Sequence, residues 1–249
     1  MDGTATGLPV LAAGAWGALT GLLLPRAAYR FCVPYGEPWR DRCPAGVHPV
    51  RGWLGTAGCG ECRGRSDGGT RGETAVLATA TALVCAALAA ATGSRPELGA
   101  WLLLAPVGVL LATVDARVRR LPDPLTLPFA AAALALLGLA ALLPEHTGHW
   151  PTALCAAPAL AAGYFVLHLV NPDGMGFGDV KLAAGSGAVL GWYGWPTVLL
   201  GTFAAFLLGA LYGGALVLAR RADRKTGVPF GPFLLAGTLA GLLTGAFAA

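Results

Sequence analysis

The sequence predicts an all-α fold, a polytopic helical membrane protein with about eight transmembrane helices and a small cytoplasmic loop domain. Three observations predict it. Of 249 residues, 55% are hydrophobic and 12% charged, against about 25% charged in soluble domains, and mean hydropathy is +0.64. The apolar residues fall into runs near the ~20 residues that a helix needs to cross a bilayer, without the alternation of barrel strands. Every Lys and Arg except Arg95 lies on a single side, between runs or, for Lys181, at the start of one.

In order, the runs cover 7–25, 74–92, 98–114, 125–143, 151–170, 180–192, 195–219 and 229–248. The first lacks a basic leader and has only Asp2 before it, so it reads as an uncleaved helix and not a removable signal. The second and third are rich in the small residues that let helices approach closely in lipid. Pro122, Pro124 and Pro128 shape the start of the fourth. The sixth is short, a half-span or a helix sheltered inside the bundle. With eight spans the loop containing Arg26 to Arg71, the loop with Arg117, Arg119 and Arg120, Lys181, and the cluster Arg220 to Lys225 share one side. By the positive-inside rule that side is cytoplasmic. The net charge of +4 is then a matter of topology, and no nucleic-acid partner is needed to explain it.

Two acids stand out. Asp115 closes the third run just before Arg117, and Asp179 lies in the glycine-rich island NPDGMGFGDVKL that leads into the sixth. The predicted topology brings both to the cytoplasmic ends of spans. An acid at the membrane lip is a functional candidate, and two carboxylates close together share a proton, one serving as base toward water and the other as acid. The plainer alternatives are a helix cap for Asp179 and a loop residue paired with Arg for Asp115. Gly176 and Gly178 give the island room for an extended backbone.

The loop from about Pro25 to Gly72 holds Cys32, Cys43, Cys59 and Cys62. Cys59 and Cys62 form one C-x2-C knuckle, half of a tetrahedral zinc site, and on a reducing face a metal is favoured over a disulfide. Cys32 completes an all-cysteine site, or His48 takes the fourth position. Cys85 and Cys155 lie inside spans as small buried residues.

DARVRRLPDPLTLP, GMGFGDVKLAA and VPFGPFLLAG, in this order, resemble the three motifs of the type IV prepilin peptidases, membrane aspartic endopeptidases of the GxGD type. The resemblance covers most of the chain from Leu104 onward and more loosely the first 70 residues. It implies cleavage of the short basic leader of prepilins or pilin-like secretion subunits, after a Gly, at the cytoplasmic face of the inner membrane. Asp115 and Asp179 match the catalytic acids; Lys181 matches the family Lys and tunes Asp179, positions substrate, or only anchors the boundary. Asp123 falls at a position that is Asn or Asp in the family. The full family loop has two C-x2-C knuckles; here Gly46 replaces the second Cys of the first. The resemblance further implies N-methylation of the new amino terminus with S-adenosylmethionine, which the altered loop puts in question. The corresponding domains are a first helix 1–25, a cysteine loop 26–73 and a transmembrane peptidase domain 74–249. Expected partners are a prepilin or pseudopilin and membrane lipid. A proton-coupled transporter and a non-catalytic assembly factor are the competing readings; the first predicts mid-bilayer acids and an internal repeat, neither of which the sequence has.

Overall fold

A computed structural model describes residues 3–34, 36–43, 46, 48–57, 62, 67–172, 174–219 and 228–249. Among the described residues it is all helical. The elements are α1 (Gly3–Phe31), α2 (Asp67–Thr92), α3 (Glu97–Val118), α4 (Asp123–Ala140), α5 (Trp150–Val170), α6 (Phe177–Gly191), α7 (Trp195–Leu218) and α8 (Gly231–Ala248). Seven are long and apolar enough to cross a membrane. The eighth, α6, has 15 residues and rises only about 22 Å at 1.5 Å per residue, short of the ~30 Å hydrocarbon core.

That helix is the post around which α4, α5, α7 and α8 stand. Eleven of its 15 residues are buried, and it packs on α4, α5, α7 and α8. A short helix at membrane depth is tolerated because protein covers it. Its glycines allow the approach: a Cβ at Gly187 would meet the Ala156 carbonyl oxygen at 2.5 Å, and one at Gly191 would meet the Ala153 Cα at 2.9 Å. Packing of this kind drives helix association in lipid, where the hydrophobic effect between helices is absent.

At the end of the bundle away from the basic loops, Arg95 has a specific role. Its guanidinium donates to the Ala91, Thr92 and Ala246 carbonyls and to Thr147 Oγ1. Thr147 in turn donates to Glu97 Oε1 at 2.9 Å, and the Tyr193 hydroxyl reaches the same oxygen at 3.4 Å. Glu97 is 0% exposed. One ion-pair cluster thus ties the α2–α3 turn, the α4–α5 loop, the corner after α6 and the end of α8. The one Arg that breaks the charge bias is held in place by a buried acid.

At the opposite end the segment after α1 folds back on it. Phe31 stacks on Trp53 (4.7 Å between centroids) and meets Trp39 edge-on (5.0 Å), while Arg30 lies over Trp53. Arg42 and Pro49 form an antiparallel bridge, flanked by backbone bonds from Cys43 N to His48 O (2.8 Å) and from Val50 N to Asp41 O (2.7 Å).

Candidate active site

Asp115 stands on the last turn of α3. Arg119, in the left-handed region at φ 51°, closes that helix and donates its N–H to the Asp115 carbonyl. The Asp115 side chain is 5% exposed, and its Oδ2 accepts a 2.9 Å bond from the backbone N–H of Gly231. Gly231 opens α8, so the carboxylate sits at a helix N-terminus, where free N–H groups and the helix dipole favour negative charge. A Cβ on Gly231 would lie 2.7 Å from that same oxygen. Only glycine leaves room.

Asp179 occupies the first turn of α6 and is 7% exposed. The helix cap is Gly176, not Asp179; Asp179 Oδ2 reaches back to accept the Gly176 N–H at 3.1 Å. The backbone at Gly178 lies against Leu121, where an added Cβ would meet the Leu121 Cβ at 2.9 Å. All three motifs therefore meet: Leu121 of the first touches Gly178 of the second, and Gly231 of the third holds Asp115 of the first.

Asp115 and Asp179 line one cavity of ≈ 520 Å³, together with Gly176, Gly178 and Lys181, and are close enough for the charge of one to act on the other. Lys181 does not bind either acid; its Nζ pairs with Asp123 at 2.6 Å, bridging α6 and α4 at the same cavity. Trp39 of the loop segment also lines the cavity, held by Phe31 and by the Arg120 guanidinium 4.5 Å from its ring. Sequence reasoning missed Trp39 and the Gly231 N–H. Neither has a local signature, since a lone aromatic in a loop and a backbone donor look like any other. Among the acids in and beside the loop segment, Glu73 is paired with Arg117 at 2.8 Å, Glu37 and Asp41 are exposed, and Glu61 and the side chain of Asp67 lie outside the described residues.

Cys43, His48 and Cys62 offer ligand atoms that all lie within 4.8 Å of one another, with His48 Nδ1 3.2 Å from Cys62 Sγ. Two thiols and an imidazole are a donor set suited to zinc. The bridge between Arg42 and Pro49 is what brings Cys43 and His48 together. Cys59 lies outside the described residues. Cys32 is not brought to this group: it is buried in another apolar cluster with Leu24, Leu110 and Val114. Burial pushes its thiol above the ordinary value, with the neighbouring Arg117 acting in the opposite sense.

The fold and the cavity define a polytopic membrane protein with a pair of acids at the mouth of a helical bundle. Residues 102–214 match the type IV leader peptidase family. The chain is 35% identical over 230 residues to the prepilin leader peptidase/N-methyltransferase of Aeromonas salmonicida, covering 85% of this chain and 72% of that protein. It is 33% identical to the proteins of the same name from Burkholderia pseudomallei (88% and 70% covered) and Pseudomonas aeruginosa (90% and 73% covered). No solved structure matches. The chain belongs to the type IV leader peptidase family.

Proposed function

We propose that this protein is a membrane aspartic endopeptidase that removes the basic leader from type IV prepilins or pilin-like secretion subunits, with Asp115 and Asp179 as its catalytic pair. The observation that carries the reading is that both acids face one cavity, each held, among the described residues, by a backbone N–H. Two carboxylates in such a cavity do not both ionise, so the pair holds one proton. The ionised member takes a proton from water as its oxygen attacks the scissile carbonyl, and the protonated member donates to the carbonyl oxygen. On collapse of the tetrahedral intermediate the C–N bond breaks, the amine leaves with a proton from the pair, a hydroxyl of the intermediate gives its proton to the pair as the C=O re-forms, and the starting state returns. The two helix N-termini stabilise the one negative charge without calling for a metal in the chemistry. The names of the relatives and the family membership support the substrate class.

The charge bias supports a cytoplasmic-membrane location with the cavity facing the cytoplasm. Cys43, His48 and Cys62, with Cys59 as the fourth ligand by its C-x2-C spacing, would hold a structural zinc that stiffens the loop domain. S-adenosylmethionine would supply the methyl group for N-methylation of the new amino terminus; the name of the relatives is what supports this activity. Lys181 and Asp123 shape the rim, and the chain is divided on this reading into a first helix, a loop domain and a transmembrane peptidase domain.

The test uses purified protein in detergent with a prepilin and reads product masses. Cleavage after the leader Gly in wild type, lost in both Asp115→Asn and Asp179→Asn with membrane insertion intact, is expected; full activity in either variant overturns the pair. An added methyl mass only with S-adenosylmethionine identifies the second activity.

A further inference from the structure

Two buried polar atoms beside the acid pair, Asp179 Oδ1 and the Tyr164 hydroxyl, have no hydrogen-bond partner among the described residues. Tyr164 belongs to α5, which packs directly on α6, and is 1% exposed. Its hydroxyl is within electrostatic reach of the Asp179 carboxylate. Buried hydroxyls without partners are rare because leaving one unpaired is costly. The surroundings give this one no packing reason to exist: the ring lies against Phe206 (5.6 Å) and Phe230 (5.9 Å), company in which a phenylalanine would serve as well. Tyr164 does not line the cavity that holds the acids. Whatever its hydroxyl does, it does through Asp179.

The ring faces the other half of the pair. Phe230 immediately precedes Gly231, whose N–H holds Asp115. Tyr164 thus stands near both acids: its unpaired hydroxyl is within electrostatic reach of Asp179, and its ring lies against Phe230, beside the Gly231 that orients Asp115. We propose that Tyr164 is a positioning residue for the reaction: its hydroxyl donates to Asp179 Oδ1 when that carboxylate carries the pair's negative charge, and its ring props the Phe230–Gly231 turn. The carboxyl rotates about a broad torsion and is the partner that moves. The catalytic consequence rests on the peptidase reading above; the bond itself does not.

A donor to the charged form lowers the pH at which a carboxyl ionises, so removing it raises that pH. Tyr164→Phe is therefore expected to move the acid limb of the pH–rate profile for leader cleavage upward by about one unit, with kcat lowered and KM unchanged. A readout independent of cleavage follows the carboxyl stretch of Asp179 by infrared titration in an Asp115→Asn background, where Asp179 titrates alone, taken as a difference against Asp115→Asn/Asp179→Asn. Adding Tyr164→Phe should raise that midpoint by about one unit. Installing 3,5-difluorotyrosine at position 164, which keeps the packing and strengthens the donor, should lower it, and serves if the Phe variant does not fold. A midpoint that neither replacement moves overturns the proposal. A shifted midpoint in a protein that cleaves no prepilin upholds the bond and overturns the peptidase reading.

Discussion

Asp115 and Asp179 each owe their orientation to one backbone N–H, and the donor for Asp115 comes from a residue with no side chain. With Asp115 as one of the proposed catalytic pair, Gly231→Ala is expected to act directly on the chemistry. Its Cβ would fall 2.7 Å from Asp115 Oδ2, so the carboxyl must turn away from its donor; cleavage should fall at least about 100-fold, the scale of a 1 Å misplacement, while expression and insertion persist. Cys32 offers a check of a different kind. A thiol pushed up by burial resists alkylation in the folded protein, so Cys32 should label slowly at neutral pH and faster as pH rises. The acids were legible in the sequence because a carboxyl beside an apolar run is anomalous at once. Their partners were not. Gly231 entered only as part of a motif, and Tyr164 passed as one more aromatic in an apolar helix, since only its buried and unpaired hydroxyl distinguishes it.

At the scale of elements, the apolar runs place all eight helices, and the brevity of the sixth already hinted at shelter. What length cannot give is that α6 stands at the centre with 11 of its 15 residues buried, because a helix surrounded by protein and one surrounded by lipid use the same residues. The sequence reading extended neither α1 to Phe31 nor α2 back to Asp67, since the polar residues in those turns look like loop. The loop hairpin was half legible: the missing second Cys at Gly46 is visible, and His48 was one of two candidates to replace it. The hairpin itself decides, bonding Cys43 N to His48 O. His48→Ala should lower bound zinc, measured by elemental analysis, whereas His48→Cys should retain about one ion per chain. Trp39, four residues before Cys43, carries the hairpin's influence into the cavity. Trp39→Ala is expected to raise KM for a prepilin by about tenfold with a smaller change in kcat, the pattern of lost substrate binding.

Over the whole molecule, the two ends of the bundle are built differently. The acid end is open and lined by motif residues, and the far end is closed by the Arg95, Glu97, Thr147 and Tyr193 cluster. Glu97 begins the helix that carries Asp115, and Tyr193 follows the one that carries Asp179. Removing Glu97 leaves Arg95 without its acid, so Glu97→Ala should cost about 3 kcal/mol, seen as a lower unfolding midpoint in detergent, and Glu97→Gln less. The charge bias predicts an orientation, but the closure was not legible, because the cluster draws its four side chains from three separate connections. The bond from Gly231 to Asp115 joins the third helix to the eighth, and that has a consequence in time. Helices enter the membrane in the order of synthesis, so Asp115 waits without its donor while five more helices are made. Until α8 has left the ribosome and docked, the growing chain carries an Asp115 that lacks the N–H which orients it, so on the proposed reading cleavage competence is the last property the chain acquires.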